Sequence, residues 1–262
     1  MNGKLPMTDD LQVGTADGLC TLRFNRPARR NAITAAMYAA LADALEVAAG
    51  DGAVRAVLIT GNEAAFTAGN DLGDFLERPP EGDDAPVFRF LRAIAGFPKP
   101  VVASVCGPAV GIGTTLLLHC DLVYAGEDAS FSLPFVNLGL CPEAGSSLLL
   151  PALFGHQRAA EKLLLGEPFD AAEAHALGLV NRVLPVAEVE AFARRQAGKL
   201  AERPLSALVA TKALMKQPAA TAVREAMLRE GEVFGRMLRE PAAREAFSAF
   251  LEKRKPDFSK PG

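Results

Sequence analysis

An uncharged stretch from residue 101 to residue 118 does most to limit what this chain can fold into. Its 18 residues are long enough to raise the question of a membrane-spanning helix. The dipeptide Gly107-Pro108 and the glycines at 111 and 113 interrupt the stretch, and such residues mark turns and loops. The stretch is therefore predicted to form a short buried strand, a glycine-rich loop and the start of an apolar helix, and no membrane span.

Strand-like and helical patterns alternate on both sides of this stretch. Four short apolar runs predict strands, at residues 19–24, 54–60, 101–105 and 121–125. Two segments with apolar residues at helical spacing predict helices, at residues 34–49 and 87–97. In the first of these, Thr34 is suited to cap the beginning of the helix and Gly50 to follow its end. Strands that alternate with helices predict an α/β fold.

The C-terminal part of the chain is predicted to be helical. It contains three or four helical segments, interrupted by Pro204, Pro218 and Pro241, and no further strand-like run. We therefore divide the chain into an α/β core over residues 1–200 and a helical region over residues 201–262.

The composition excludes other classes of protein. The chain has 28 Lys and Arg against 31 Asp and Glu, with no long basic run, so nucleic acid is not expected as a partner. The three histidines lack zinc-site spacing, and no metal site is expected. The four cysteines form no C-x-x-C pair, and no apolar secretory signal opens the sequence. Reduced thiols in the cytoplasm are therefore predicted.

One carboxylate stands alone in an uncharged segment. Between Asp128 and His156 the only charged side chain is Glu143, although the chain-wide charged fraction of 23% would place several there. Burial raises the pKa of a carboxyl group toward neutral pH, as a general acid or base requires. A Glu that follows Pro142 is also a common helix-start residue in contact with solvent. The segment by itself leaves both interpretations open.

Two loops are candidate sites for negative charge. In residues 66–72, a small residue and a glycine after a strand would let a ligand approach the backbone and leave the amide of Ala68 free to donate. Residues 107–115 lie between a strand and a helix, where amide groups are free. Their G-x-x-x-G-x-G spacing is not that of a dinucleotide-binding loop. At this stage an ordinary Gly-Asn turn and a close strand-to-helix packing turn are the preferred interpretations of the two loops, and the sites for negative charge are the alternatives.

Taken together, five blocks in this order resemble the crotonase, or enoyl-CoA hydratase/isomerase, superfamily. They are residues 25–34, 68–71, 107–113, 120–125 and 176–180. The segment 250–258 is also similar to the C-terminus of that family. The resemblance implies an α/β, crotonase-like stack of ββα units with a helical C-terminal region that forms trimers or dimers of trimers. It further implies an acyl-CoA thioester as substrate and no separate cofactor.

The resemblance also implies roles for individual residues. The backbone amides of Ala68 and Ile112 would form the oxyanion hole for the thioester carbonyl. Residues expected to contact coenzyme A are Arg29, Arg30, Gly69, Asp71 and Lys253. Residues expected to line the acyl pocket are Leu72, Phe75, Phe135 and Leu138.

The departures from the family pattern concern the reaction. Hydratases of this family use two glutamates, and here those positions hold Thr115 and Phe135. Residues 134–147 are instead similar to the Δ3,Δ2-enoyl-CoA isomerase branch, whose single catalytic glutamate falls at Glu143. We therefore expect conversion of 3-enoyl-CoA to trans-2-enoyl-CoA in fatty acid or related acyl-CoA catabolism. A hydratase in the broad sense and a non-catalytic acyl-CoA-binding module remain as alternatives.

Overall fold

Two β-sheets organise the chain, in a computed structural model that describes residues 8–77, 82 and 84–259. The described strands are β1 (Leu11–Ala16), β2 (Leu19–Phe24), β3 (Ala56–Thr60), β4 (Val101–Val105), β5 (Pro108–Val110), β6 (Leu122–Gly126), β7 (Ser130–Ser132), β8 (Phe169–Asp170) and β9 (Arg182–Leu184). The larger sheet has the order β1-β2-β3-β4-β6-β9, and the smaller sheet has the order β5-β7-β8. In the larger sheet only the β1–β2 pair is antiparallel.

Ten α-helices are described in the same residues. They are α1 (Ala35–Gly50), α2 (Leu72–Glu77), α3 (Pro86–Ala95), α4 (Ile112–Thr115), α5 (Ser146–Phe154), α6 (His156–Leu165), α7 (Ala171–Ala176), α8 (Val186–Ala201), α9 (Leu205–Met237) and α10 (Pro241–Leu251). Short 3-10 turns occur at Pro27–Arg29, Leu116–His119 and Val136–Leu138. The predicted cap is confirmed, because the Thr34 hydroxyl accepts a hydrogen bond from the Met37 amide. None of the described helices combines the length and the apolar character that a bilayer span requires.

The alternation of strands and helices confirms the predicted α/β class. The four predicted strands correspond to β2, β3, β4 and β6, and the two predicted helices to α1 and α3. Strand β1 escapes prediction because it lies at the sheet edge and buries only Leu11 completely. The remaining strands that were not predicted have two or three residues each, too few to show an alternating pattern.

The larger sheet is covered on both faces. Val57 and Ile59 of β3 face the main core, which includes α1, whereas Ala56 and Leu58 face the opposite side. There α8 covers the sheet, and its small buried residues, which include Ala193, let the helix approach closely. Strands buried on both faces read as continuous apolar runs, which explains why β3 and β4 were predicted from sequence.

Helix α9 corrects one prediction. It continues through Pro218 for 33 residues, where the sequence predicts an interruption. A proline inside a helix costs about 3 kcal/mol, so contacts on both sides must hold α9 in place. On one side Lys212 donates to the Asp121 carboxylate at 2.6 Å, and on the other Glu230 and Phe234 are buried.

After Pro185 the structure has three described helices, α8, α9 and α10, which is within the predicted three or four helical segments. Helix α8 ends at Ala201 and α9 begins at Leu205. The division of the chain at residue 200 stays a prediction. Both ends of the divided chain, residues 1–7 and 260–262, lie outside the described residues.

Candidate active site

Glu143 lies in the loop that connects the 3-10 turn Val136–Leu138 to α5. Helix α5 begins only at Ser146, and the two residues before it, Ala144 and Gly145, have left-handed φ angles of 63° and 72°. Glu143 is therefore not part of a helix start, and the solvated helix-start interpretation is wrong. Its side chain is half-buried and lines a cavity of the protein.

This cavity has a volume of about 590 Å³ and opens beside Glu143. Most of its lining is apolar and comes from five elements, α2, α3, the 3-10 turn Leu116–His119, α5 and α9. These are represented by Phe75, Leu91, Leu118, Leu149, Met227 and Phe234. Three cationic residues also contribute, namely Arg92, Lys216 and Arg224. Glu143 is the only carboxylate among the described residues that line it. The site thus joins one carboxyl group to a space shaped for an apolar chain.

The pKa of Glu143 is strongly perturbed. Burial raises it to about 8 from an ordinary 4.5, because a low-dielectric surrounding disfavours the charged form. A hydrogen bond from the Thr115 hydroxyl to Oε1, 2.5 Å long, acts in the opposite direction, and the negative charge of Glu230 raises the pKa further. A carboxyl group with a pKa near 8 can both take and return a proton at neutral pH.

His119 supports the loop behind Glu143. Its Nε2 lies 2.7 Å from the Ala144 carbonyl oxygen. A carbonyl can only accept a hydrogen bond, so Nε2 must carry the proton. Burial lowers the pKa of His119 to about 4, which keeps the ring neutral. His119 is therefore a neutral, hydrogen-bonded residue of the protein interior.

The two glycine-containing loops pack directly on each other. The Thr67 amide donates to the Pro108 carbonyl at 3.0 Å, and the Val110 amide donates to the Thr67 carbonyl at 3.0 Å. A Cβ atom on Gly69 would lie 2.7 Å from the Val110 carbonyl oxygen, and one on Gly113 would lie 2.7 Å from the Thr67 side chain. The glycines are therefore required for this close approach.

The expectation that the Ala68 amide is free is wrong. That amide donates to the Arg30 carbonyl at 2.9 Å. Gly69, with a φ of 85°, turns the chain at the next residue, and within the described residues the amide of Asn70 has no hydrogen-bond partner. Asn70 lines the cavity, and its side-chain oxygen accepts a hydrogen bond from the Tyr38 hydroxyl. The candidate donor in this loop is therefore Asn70 rather than Ala68.

Ile112 supplies a second candidate donor. It is the first residue of α4, so its amide has no acceptor within the helix, and no other acceptor occurs in the part of the chain that is described. Thr115, one turn further along α4, holds the Glu143 carboxyl group. The amide of Ile112 thus begins the short helix whose other end contacts the candidate base.

The residues predicted to contact coenzyme A divide into two groups. Arg29, Arg30 and Lys253 are exposed, and none of their side chains has a hydrogen-bond or ion-pair partner within the described residues. Gly69 and Asp71 instead make contacts within the protein, Gly69 with the Val110 carbonyl region and Asp71 with Arg26. Burial would raise the pKa of Asp71, but the hydrogen bond and charge of Arg26, 2.6 Å away, hold it below its usual value. Their predicted contacts with coenzyme A stay predictions.

Only one of the four predicted acyl-pocket residues lines the cavity. Phe75 does so, with its ring centroid 6.2 Å from that of Phe234 on α9. Leu72, Phe135 and Leu138 are absent from the described lining, because Phe135 is buried in the main core and the two leucines pack against that core. The larger part of the lining, on α3 and α9, was not predicted, since these helices are distant in sequence and meet only in the folded chain.

In the described part of the chain, no three His, Cys, Asp or Glu side chains are grouped closely enough to hold a metal ion. The residues that are grouped near the cavity are one carboxyl group, its hydroxyl partner and two candidate amide donors. Such an arrangement can move a proton beside a stabilised oxyanion.

Comparison with known proteins links this geometry to a family. A model of the enoyl-CoA hydratase/isomerase family matches residues 14–261. The chain is 36% identical over 252 residues to the 2,3-dehydroadipyl-CoA hydratase of Escherichia coli K12, covering 95% of this chain and 98% of that protein. It is 38% identical over 216 residues to human enoyl-CoA delta isomerase 2, covering 80% of this chain and 55% of the human protein.

A solved structure shows the same fold. OdaA of Pseudomonas aeruginosa superposes on this chain with a TM-score of 0.91 at 51% sequence identity, over 93% of this chain and 99% of that one. Similarity of this extent confirms the architecture that the sequence resemblance implies.

Proposed function

The chain belongs to the enoyl-CoA hydratase/isomerase family, and from that membership we propose that it is an isomerase, which converts 3-enoyl-CoA to trans-2-enoyl-CoA. One observation carries the proposal: Glu143 is the only carboxylate among the described residues of the cavity lining. Moving a double bond into conjugation requires one group that removes a proton and returns it two carbons away. A single carboxyl group with a pKa near 8 suits both steps.

The reaction would proceed through a dienolate. Glu143 removes a proton from C2 of the thioester, the electron pair moves into the carbonyl, and negative charge develops on the thioester oxygen. The amides of Asn70 and Ile112 would donate to that oxygen. Glu143 then returns the proton at C4, the double bond moves from C3 to C2, and the carbonyl is restored. Each oxyanion donor is worth about 3 to 4 kcal/mol in other enzymes.

The surroundings of the base support an acyl-CoA substrate. The apolar lining contributed by Phe75, Leu91 and Phe234 suits an acyl chain. The exposed Arg29 and Arg30 lie in the turn before residues 31–33, which pair with the Asn70 loop. This proximity to the loop of a candidate oxyanion donor supports the proposal that they contact the phosphate groups of coenzyme A.

Hydration of a 2-enoyl-CoA is the second candidate function. It is favoured by the identity of 36% to the 2,3-dehydroadipyl-CoA hydratase over nearly the whole length of both proteins. Hydration requires an oriented water molecule and separate base and acid groups. The resemblance places the two hydratase glutamates at Thr115 and Phe135, and neither side chain can exchange a proton as a carboxyl group does. We therefore prefer isomerisation.

Parallel assays distinguish these functions. The protein is incubated with 3-enoyl-CoA and with 2-enoyl-CoA, and conjugation of the thioester and hydration are followed separately. We expect conjugation to be the faster reaction. Faster hydration would contradict the proposal. Binding of the thioesters without either reaction, and without exchange of the C2 protons for deuterium, would instead indicate a non-catalytic binding protein.

The pH dependence offers a test of the Thr115 contact. As a base, Glu143 acts deprotonated, so the rate should rise with pH through a midpoint near 8. Thr115→Val removes the hydrogen bond that lowers this pKa, and the midpoint should therefore move to higher pH. Thr115→Ser keeps a hydroxyl group and serves as the control, with a midpoint close to that of the parent. An unchanged midpoint in the valine variant would show that this hydroxyl does not tune the base.

We also infer a homotrimer or a dimer of trimers in the cytoplasm, two predictions that rest on the resemblance and on cysteine usage. All four cysteines are free in the structure. Sedimentation analysis of the purified protein tests the oligomeric state.

A further inference from the structure

A second carboxylate, Glu230, is buried on α9 next to the Glu143 loop and has no role in the reaction proposed above. Its side chain is only 7% exposed. One oxygen accepts a hydrogen bond from the Gly145 amide at 2.6 Å. The other accepts from the Ser147 amide at 2.9 Å and from the Ser147 hydroxyl at 2.5 Å. All donor groups of this carboxylate thus come from the turn that follows Glu143.

These contacts replace a missing helix cap. Helix α5 begins at Ser146 after Gly145, which has no side chain to accept from the first amides of the helix. The Glu230 carboxylate accepts from the amide of Ser147, the second residue of α5, and from the amide of Gly145, which precedes the helix. It also places negative charge at the positive end of the helix dipole. A distant helix therefore fixes where α5 begins, and with it the left-handed residues that connect α5 to Glu143.

The same helix also contacts the other side of the base. The Cys141 thiol donates to the backbone carbonyl of Glu230 at 3.7 Å. One residue of α9 thus contacts the chain on both sides of Glu143, at Cys141 before it and at Gly145 and Ser147 after it. A movement of α9 at this point would displace the loop on both sides of the base.

We propose that Glu230 is a positioning residue for Glu143, which holds the loop of the base in place and keeps a negative charge beside it. This inference rests on the proposed function, in which Glu143 is the base. Glu230 does not contact the reacting atoms. It acts through the backbone of residues 145–147 and through its electric field.

The charges around the two carboxyl groups support the second part of this inference. Groups that interact electrostatically with Glu143 or Glu230 are Tyr38 on α1, Cys141 in the preceding loop and Arg229 on α9. Burial raises the pKa of Tyr38 and of Cys141, so both stay neutral near pH 7. His119, which contacts the adjacent Ala144, is neutral as well. Burial raises the pKa of Glu230 as well, whereas its hydrogen bonds from Ser147 and Gly145 and the charge of Arg229 act in the opposite direction. In its charged form Glu230 adds to the rise that burial causes in the pKa of Glu143.

Two variants separate position from charge. Glu230→Gln removes the charge and replaces one accepting oxygen by an NH2 group, so the hydrogen bonds to that oxygen are lost as well. Glu230→Asp keeps the charge and shortens the side chain by one carbon, which weakens the three hydrogen bonds. Glu232→Gln is the matched control, since Glu232 is exposed on the same helix and its loss changes the net charge equally.

We expect both Glu230 variants to lower kcat for isomerisation about 10-fold to 10²-fold, the loss that a misplacement of about 1 Å brings. Only Glu230→Gln should move the midpoint of the pH–rate profile, and it should move to lower pH because the repelling charge is gone. Glu232→Gln should change neither quantity. A parental kcat in Glu230→Asp, or a parental midpoint in Glu230→Gln, would overturn the corresponding part of the inference.

A substrate-free measurement separates this inference from the proposed function. The difference between infrared spectra of the parent and of Glu143→Gln isolates the carboxyl band of Glu143, and its pH titration gives the pKa. Repeating the subtraction in the Glu230→Gln background should give a lower pKa, whether or not the protein isomerises any thioester. An unchanged pKa would refute the charge effect.

Ser147→Ala is a milder variant in case Glu230→Gln does not fold. It removes one of the three hydrogen bonds and keeps the charge of Glu230. We expect a severalfold lower kcat with an unchanged pH midpoint. A parental kcat in this variant would argue against the positioning role.

Discussion

Glu143→Gln is expected to reduce isomerisation by about 10² to 10⁴, the contribution of a positioned general base, while acyl-CoA affinity stays within severalfold of the parent. Gln has the same shape and can still accept the hydrogen bond that Thr115 donates, but it cannot take a proton. The rate is measured as formation of the conjugated thioester, and affinity by titration with a non-reactive acyl-CoA. Retention of more than about a tenth of the rate would remove the base assignment.

The same variant should change the pH dependence of stability. The pKa of Glu143 is about 8 in the folded chain and has an ordinary value of 4.5. The folded state therefore binds this proton more tightly, and the stability it contributes is complete below the ordinary pKa and is lost as the pH rises through 8. Gln cannot ionise, so the Tm of the variant should fall less than that of the parent between about pH 5 and about pH 9.

The second large effect is expected from removing a backbone donor. Ile112→Pro deletes the amide at the first position of α4, where proline is tolerated because that amide has no partner within the helix. Ile112→Gly removes the side chain and keeps the amide. We expect proline to lower kcat by about 10² or more and glycine to be far milder, in line with the loss of one oxyanion donor.

Circular dichroism must show that both Ile112 variants are folded before their rates are compared. If the proline variant is folded and as active as the glycine variant, the Ile112 amide is not an oxyanion donor. Equal losses in both variants would assign the effect to the side chain.

Features that depend on neighbouring residues were predictable from the sequence alone. The strands β3 and β4 are buried on both faces, so their apolar runs are unbroken and easy to identify. The cap at Thr34 requires only a hydroxyl three residues before the amide that it accepts from. The partial burial of Glu143 follows from the absence of other charges in its segment. In each case the signal lies in residues of one continuous segment of the chain.

The sequence alone could not show which backbone amide of the loop 66–72 lacks a hydrogen-bond partner. Ala68 and Asn70 are two residues apart in one loop, and either amide could have been the unpaired one. Of these two amides, only that of Asn70 is unpaired within the described residues, because the Ala68 amide donates to the Arg30 carbonyl and the chain then turns at Gly69. Hydrogen bonds between segments decide such details, since no local property of the residue records which partner its amide will meet.

The sequence by itself therefore determined the α/β class, the strands and helices of the core, and the segment that contains the base. The tertiary structure alone decided which helices enclose the acyl cavity, how α9 continues through Pro218, and that Glu230 contacts the loop of Glu143. Burial and capping act over a few residues and leave a pattern in the sequence. Contacts between segments that are 85 residues apart, as Glu230 and Gly145 are, exist only once the chain has folded.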